Sequence, residues 1–313
     1  MPEALDTLVL EVHMKDIAQT IKLLKEKKQA LILAHNYQAL EIQDLADYRG
    51  DSLQLSILSA ELNSPLIIFC GVRFMAETAA ILNPESKVIL PVQDAGCPMA
   101  DMINGDQLRE FKAQYPDSVV VCYVNSTVEV KAESDICCTS SNALKVVSSI
   151  DKDKTILFVP DRNLGSWVAK VSGRKIITWN GYCPTHQWGF TAQDIQEMRT
   201  SHPDYELLVH PECDPLIVAE ADHVMSTGGM VNYLQEHDRL IIATENGLTD
   251  YLKHIHPEKK IISLSPKAIC QNMRKTRIED VLSALQDEQY HIQVEPDIAR
   301  KARLSIDRML AIK

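Results

Sequence analysis

The chain has 313 residues, of which 45% are hydrophobic and 24% charged, a composition typical of a soluble globular protein. Its net charge of −11 excludes the overall basic footprint by which proteins bind nucleic acid, so we predict no nucleic-acid partner. The N-terminal segment lacks the basic-then-apolar order of a signal peptide, and no apolar run is long enough to span a bilayer. We therefore expect a cytoplasmic protein with no membrane partner. In those reducing surroundings its eight cysteines would be metal ligands, catalytic groups or buried residues rather than disulfides.

Taken in chain order, the predicted elements alternate between helices and short apolar strands. Helices are predicted at IKLLKEKKQ, VRFMAETAAILN and DVLSALQ, and strands at apolar runs such as ALILAHNYQ, LIIFCGV and TILFVPD. Strands that alternate with helices are typical of βαβ units, in which helices cover both faces of a parallel sheet. A last helix is predicted to open near Pro296, because Ile298, Ala302, Ile306 and Leu310 form one apolar stripe. The sequence therefore predicts an α/β fold.

The sequence pattern repeats three times with a period of about 87 residues. Four sets of segments align. The first ends at His35, Tyr123 and His210; the second holds Asp47, Asp135 and Asp222, with Ser52, Ser140 and Thr227 five residues later; the third is LIIFCGV, TILFVPD and RLIIATE; and the fourth ends at Cys97, Cys183 and Cys270. We therefore predict three homologous αβα units of the Rossmann-like type. They cover residues 1–112, with an N-terminal helix, residues 113–200, and residues 201–313, with a C-terminal helix.

One cysteine at the same place in each repeat predicts a shared site. Ligands bind beyond the carboxyl ends of parallel strands, so three units around a pseudo-threefold axis would bring Cys97, Cys183 and Cys270 to one central cavity. Three thiolates suit a metal centre with an open position. Zinc with a bound water would fit, and so would an iron–sulfur cubane whose fourth iron acts as a Lewis acid. The cysteines without equivalents in the other repeats are predicted to be structural: Cys70, Cys122, Cys137, Cys138 and Cys213.

Polar side chains follow the strand ends in pairs spaced two residues apart, which in extended chain places both on one side. The pairs are His35 with Tyr37, Tyr123 with Asn125, and His210 with Glu212. Histidine can move protons near neutral pH, and a glutamate in a partly dry pocket can act as acid or base. Ser52, Ser140 and Thr227 are predicted at helix starts, where hydroxyls cap helices and free N–H groups can bind phosphate or carboxylate.

These residues lie in motifs that resemble the quinolinate synthase A family. The motifs, in chain order over almost the whole sequence, are AHNYQ, GDS, DAGCPMADM, YVNSTVEVKA, DRNLG, WNGYCPTH, HPEC, STGGM, ATENGL and CQNMRKT. The resemblance implies three αβα domains around a pseudo-threefold axis with a central active site. It also implies an enzyme of NAD biosynthesis that condenses iminoaspartate with dihydroxyacetone phosphate and releases quinolinate, phosphate and two waters.

The resemblance further implies a [4Fe–4S] cluster with one open iron, held by Cys97, Cys183 and Cys270. By the same resemblance, the catalytic residues are Glu212, Tyr37, His210, Tyr123 and His35, and the substrate-binding residues are His35, Ser52, Tyr123, Asn125, Ser140, His210, Glu212 and Thr227. Glu212 would carry the proton in the later dehydration, and Tyr37 would transfer a proton in the isomerisation of the triose carbonyl. Only Cys270 stands where some members carry CxxCxxC, so no disulfide switch is expected there.

Two other functions remain open from the residues themselves. A zinc-dependent lyase or hydrolase could use the same three cysteines, and an iron–sulfur redox sensor or electron carrier could hold the same cluster. An electron carrier would not need six polar groups beside its cluster, and no GxGxxG follows the first strand, which disfavours a dinucleotide-binding enzyme. The expected partners are the two small-molecule substrates, with transient contact to the oxidase or dehydrogenase that supplies iminoaspartate.

Overall fold

The computed structural model describes residues 2–62 and 64–312. Met1 and Lys313, the outer ends of the first and third predicted units, lie outside the described residues. Within those residues the strands form three sheets of four strands each. The strands are β1 (Ala30–His35), β2 (Tyr48–Gly50), β3 (Leu66–Cys70), β4 (Lys87–Ile89), β5 (Val119–Tyr123), β6 (Ile136–Cys138), β7 (Ile156–Val159), β8 (Ile176–Thr178), β9 (Glu206–Val209), β10 (His223–Val224), β11 (Arg239–Ala243) and β12 (Lys260–Ser263).

The three sheets share one topology. Their strand orders are β2-β1-β3-β4, β6-β5-β7-β8 and β10-β9-β11-β12, and all neighbouring strands are parallel. The same order in each sheet is what three homologous repeats predict. The predicted α/β class, with three Rossmann-like parallel sheets, is confirmed.

Helices cover the sheets, and no helix in the described part of the chain is both long and apolar enough to cross a membrane. The helices are α1 (Pro2–Lys28), α2 (Leu40–Leu45), α3 (Ser52–Glu61), α4 (Arg73–Leu82), α5 (Gly105–Ala113), α6 (Val128–Ala132), α7 (Ala143–Ser149), α8 (Arg162–Ser172), α9 (Pro184–Trp188), α10 (Ala192–Ser201), α11 (Pro215–Ala219), α12 (Thr227–Tyr233), α13 (Asn246–Ile255), α14 (Ile278–Asp287) and α15 (Pro296–Leu310). Single 3₁₀ turns lie at Ala100–Met102 and Met273–Lys275.

The strands are buried on both faces. Ile32 and Leu33 are neighbours in β1 and point to opposite faces, yet neither is exposed to solvent. Each such side chain contributes about 1.5–3 kcal/mol when it leaves water. Because both faces are buried, the strand sequences are continuous apolar runs and do not alternate between apolar and polar residues.

An aspartate holds the same position in each repeat. Asp47 accepts the backbone N–H of Ile32 at 2.7 Å, which joins the start of β2 to the middle of β1. Asp135 and Asp222 each accept the N–H of the residue fifteen positions earlier, also at 2.7 Å. The alignment of these aspartates in the sequence therefore corresponds to one repeated structural bond.

The C-terminal segment packs on the first two sheets. Helix α15 lies against α6 and β6, and its Ala302 and Ile306 are fully buried there. Helix α14 lies against α1 and β3. Residues after 277 thus follow the third sheet in sequence but cover the other two in space. The predicted unit boundaries at 112/113 and 200/201 stay predictions.

Candidate active site

A cavity of about 360 Å³ lies beyond the carboxyl ends of the first strands of all three sheets. The twelve residues predicted for the site all line it: His35, Tyr37, Ser52, Cys97, Tyr123, Asn125, Ser140, Cys183, His210, Glu212, Thr227 and Cys270. They come together because parallel strands of equivalent sheets end on one side, where polar groups can face a ligand. The individual roles assigned to them stay predictions.

The Glu212 carboxylate is the electrostatic centre of the cavity. One oxygen, Oε1, accepts the Tyr123 hydroxyl, and the other, Oε2, lies 2.9 Å from His186 Nδ1. Burial opposes ionisation of Glu212, but His186 and the Tyr123 hydrogen bond hold its pKa below the ordinary value. Conversely, burial and the Glu212 charge raise the pKa of Tyr123 well above its usual value. Glu212 is therefore a buried carboxylate that accepts hydrogen bonds from Tyr123 and His186.

Two cavity histidines have the same fixed tautomer. The Nδ1 atom of His35 accepts the backbone N–H of Tyr37 at 3.2 Å, and that of His210 accepts the N–H of Glu212 at 3.4 Å. Burial lowers the pKa of His35 to about 4 and that of His210 to about 3, so both rings are neutral near pH 7. A neutral ring that accepts at Nδ1 carries its hydrogen on Nε2. The His210 Nε2 lies 3.2 Å from the Ser140 hydroxyl, to which it donates.

His186 and Thr244 belong to the site, although the sequence does not single them out. The Thr244 hydroxyl lies 2.7 Å from the Tyr37 hydroxyl and 2.9 Å from His186 Nε2. Hydrogen bonds thus run from Tyr37 through Thr244 and His186 to Glu212. Burial, followed by the Glu212 charge, raises the pKa of Tyr37 well above its ordinary value, so Tyr37 is a phenol that can donate. His186 lies three residues after Cys183 in WNGYCPTH, and it has no counterpart in the other repeats.

The three predicted metal-ligating cysteines share a local geometry. Cys97, Cys183 and Cys270 are free and partly buried. Burial raises the pKa of each thiol, and backbone N–H groups two or three residues later oppose that rise. These N–H groups belong to Met99 and Ala100 for Cys97, to His186 for Cys183, and to Asn272 and Met273 for Cys270. Such N–H groups favour the thiolate form, which is the form that binds metal.

One group of mixed ligands could also hold a metal ion. A ligand atom from each of Cys183, His186 and Glu212 lies within 4.8 Å of the others. Thiolate, imidazole and carboxylate ligands together suit zinc or iron. A metal bound to Glu212 would compete with the Tyr123 and His186 hydrogen bonds to the same carboxylate.

The predicted helix-start hydroxyls differ between the repeats. Ser52 is the first residue of α3, and Thr227 is the first residue of α12. Ser140, in contrast, lies three residues before α7, because Asn142 forms a turn by accepting the Thr139 N–H. The prediction of a helix start is therefore wrong for Ser140, although its hydroxyl reaches the cavity. Asp51 and Ser226, rather than the predicted hydroxyls, cap α3 and α12, and α7 has no side-chain cap.

An unpaired acceptor also faces the cavity. The Asn125 side-chain oxygen is buried and has no hydrogen-bond partner within the described part of the chain. Leaving a buried amide oxygen unpaired costs about 1–3 kcal/mol. A ligand that donates a hydrogen bond would remove that cost.

The sequence is similar to one family over nearly all its length. A family model described as "Quinolinate synthetase A protein" matches residues 19–311. A protein of Dehalococcoides mccartyi named quinolinate synthase is 50% identical over 298 residues, which cover 95% of this chain and 98% of that protein. A quinolinate synthase of Alkaliphilus metalliredigens is 50% identical over 296 residues, which cover 94% of this chain and 97% of that protein. A quinolinate synthase of Methanoregula boonei is 47% identical over 298 residues, which cover 95% of this chain and 98% of that protein.

Proposed function

The chain belongs to the quinolinate synthetase A family and is an enzyme of the quinolinate synthase type, and from that premise we propose its reaction and mechanism. It condenses iminoaspartate with dihydroxyacetone phosphate to give quinolinate, phosphate and two waters. The observation that carries this proposal is one cavity in which three equivalent cysteines face the Glu212–His186–Tyr123 group. A ring-closing dehydration needs both a Lewis acid and a proton carrier, and this cavity offers ligands for a Lewis-acidic metal and side chains that can carry the proton.

The donor set fits a [4Fe–4S] cluster with three protein ligands. Cys97, Cys183 and Cys270 are free, and backbone N–H groups near each sulfur favour its thiolate form, which is the form that binds a cluster. When bound, such a cluster supplies a Lewis-acidic open iron that favours loss of a hydroxyl group from the substrate. The remaining steps are assigned to side chains.

Glu212 is the proton acceptor in the dehydration steps. Its lowered pKa keeps it a carboxylate at neutral pH, so it can take a proton from carbon as a hydroxyl leaves. Tyr123 and His186 fix the direction of the carboxylate by donating to its two oxygens. The hydrogen bonds from His186 through Thr244 to Tyr37 give the proton a route to the other side of the cavity.

Tyr37 acts in the isomerisation of the triose carbonyl. Because its raised pKa keeps the phenol protonated, Tyr37 serves first as a donor to the carbonyl oxygen. Neutral His35 presents its Nε2–H to the cavity and can orient a substrate carboxylate. His210, Tyr123 and Asn125 orient the remaining carboxylate and the imine, and the unpaired Asn125 oxygen is suited to accept from the imine N–H.

The anionic groups of the substrates bind to local donors. Ser52, Ser140 and Thr227 place three hydroxyls around the cavity, one from each repeat. Uncharged donors can hold carboxylate and phosphate oxygens without a basic surface. This explains how a chain of net charge −11 binds two anions.

A second candidate is a zinc-dependent lyase, and the proximity of Cys183, His186 and Glu212 favours it. Metal analysis of protein purified without oxygen separates the two. We expect about four irons and four sulfides per chain, as a cubane cluster requires, and their loss when Cys97, Cys183 or Cys270 is changed to alanine. Cys213→Ala is the matched control, because that buried thiol has no equivalent in the other repeats. Zinc without sulfide would overturn the cluster assignment.

The same protein should form quinolinate from iminoaspartate and dihydroxyacetone phosphate. Failure of cluster-loaded protein to do so would refute the reaction. We also propose that iminoaspartate arrives during transient contact with the oxidase or dehydrogenase that forms it, because a free imine hydrolyses in water. Separating the two enzymes by a dialysis membrane should then lower the quinolinate yield, and an unchanged yield would refute the contact.

A further inference from the structure

Three side chains, one from each repeat, form a hydrogen-bonded chain beside the cavity hydroxyls. The Ser141 hydroxyl donates to Asp51 Oδ2 at 2.5 Å, and the Ser141 and Ser226 oxygens lie 2.8 Å apart. Asp51 and Ser226 are each 5% exposed, whereas Ser141 is exposed. We call Asp51, Ser141 and Ser226 the latch. None of the three belongs to the predicted site.

The direction of the hydrogen bonds in the latch follows from its chemistry. An ionised carboxylate only accepts, so Ser141 donates its hydrogen to Asp51. Ser226 must then donate to Ser141, and the Ser226 oxygen in turn accepts the backbone N–H of Gly229 at 3.1 Å. The second Asp51 oxygen accepts the Gln54 N–H at 2.9 Å, which ties the latch to α3. All hydrogens in the latch therefore point towards Asp51.

Close packing supports the same contact. A Cβ atom on Gly228 would lie 2.5 Å from Asp51 Oδ2, a separation that real Cβ atoms do not show. The first turn of α12 can therefore approach Asp51 only because residue 228 has no side chain. The first and third repeats thus meet directly at Asp51 and Gly228, as well as through Ser141 of the second repeat.

Each member of the latch is adjacent in sequence to one cavity hydroxyl. Asp51 precedes Ser52, Ser141 follows Ser140, and Ser226 precedes Thr227. Fixing one residue of each pair limits the positions that the other can take. Asp51 has no ion-pair partner among the side chains that the structure describes, so its charge is balanced by hydrogen bonds alone.

We propose that the latch positions the three cavity hydroxyls for the anionic groups of the substrate, with Asp51 as its acceptor and a positioning residue. The identity of those anions rests on the proposed function. Asp51 lines the cavity but Ser141 and Ser226 do not, and the latch acts through the neighbouring hydroxyls. Its loss should therefore weaken anion binding while the chemical step proceeds at its usual rate.

The test compares Ser141→Ala with Ser149→Ala in the holoenzyme. Ser141 is exposed, so its change to alanine removes the latch bond without opening a core cavity. Ser149 is the matched control, because its hydroxyl donates only to Val146 O within α7 at 2.7 Å. We expect Ser141→Ala to raise KM for dihydroxyacetone phosphate about fivefold, as loss of one partly exposed charge-assisted hydrogen bond implies, with kcat within about twofold. Ser149→Ala should match the wild type.

Two further variants examine the direction of the latch. Asp51→Asn keeps the size of the side chain and the acceptor for the Gln54 N–H. Its amide nitrogen would donate to Ser141, however, and so reverse the direction of the hydrogen bonds in the latch. Asp51→Asn should raise KM by a similar factor. The double variant with Ser141→Ala should have nearly the same KM as either single variant, because both substitutions break the same contact. Ser141→Thr keeps the hydroxyl and should restore the wild-type KM.

The binding of inorganic phosphate and of quinolinate is measured by calorimetry on the same proteins. These measurements test the role of the latch in anion binding independently of the catalysed reaction. If the wild type makes no quinolinate, the proposed function fails, while weaker phosphate binding by Ser141→Ala still supports the latch. Unchanged KM and unchanged anion binding in Ser141→Ala and Asp51→Asn would overturn the proposal. A fall in kcat alone, with KM unchanged, would also overturn it.

Discussion

Glu212 Oε2 lies 2.9 Å from His186 Nδ1, although Glu212 follows β9 and His186 lies on the short helix α9. The contact joins the second and third repeats inside the cavity. It places a hydrogen-bond donor on a buried carboxylate and leaves the other ring nitrogen to Thr244. His186 is thus the point at which the Glu212 and Tyr37 sides of the site meet.

Changing His186 to Gln should move the pH dependence of catalysis. His186 lowers the pKa of Glu212, so its removal should raise that pKa and shift the acidic limb of the kcat profile to higher pH. The pH profile of kcat and the iron content are measured together, with the exposed His254→Gln as control. An acidic limb that stays in place would contradict the assigned contact.

Changing Glu212 to Gln should abolish most of the activity while keeping the cluster. An amide of the same size cannot accept a proton, and loss of a general base typically costs about 10²–10⁴ in rate. Quinolinate formation is measured beside iron and sulfide content, and Glu220→Gln, on the surface after α11, serves as control. Full activity in Glu212→Gln would remove Glu212 from the proposed mechanism.

His35 should make the unfolding free energy fall with decreasing pH. Its pKa in the folded chain is about 4, because burial disfavours the charged ring, against 6.5 for an ordinary histidine. Between these values the unfolded chain binds the proton and the folded chain does not, so stability that is complete above about pH 6.5 is lost as pH falls towards about 4. Comparing wild type with His35→Gln in denaturant titrations at several pH values isolates this effect. The stability of the wild type relative to the variant should decline over that interval, and a constant difference would contradict it.

Truncating Ile306 to alanine should destabilise the chain by about 2–5 kcal/mol, as loss of a fully buried isoleucine does. Ile306 lies on the face of α15 that packs against α6 and β6, so the free energy of unfolding of the second unit should fall. Leu304→Ala is the matched control, because Leu304 is 53% exposed on the same helix. Equal losses in the two variants, measured by denaturant titration, would contradict the described packing.

The sequence alone determined the α/β class, the threefold repeat and twelve residues that line the cavity. It could do so because strand periodicity and repeat spacing are local properties of the chain, and equivalent positions in homologous units end at the same edge of each sheet. Asp47, Asp135 and Asp222 illustrate this, since one spacing in the sequence corresponds to one hydrogen bond in each unit.

Only the tertiary structure decided the relations between the repeats. His186 and Thr244 have no equivalents in the other repeats, so comparison of the repeats could not identify them. They contact Tyr37, which lies 149 and 207 residues away in the sequence, respectively. The latch of Asp51, Ser141 and Ser226 and the packing of α15 are likewise absent from the local pattern. Such contacts depend on how whole units pack against each other, and that packing is set by many weak interactions among residues far apart in the chain.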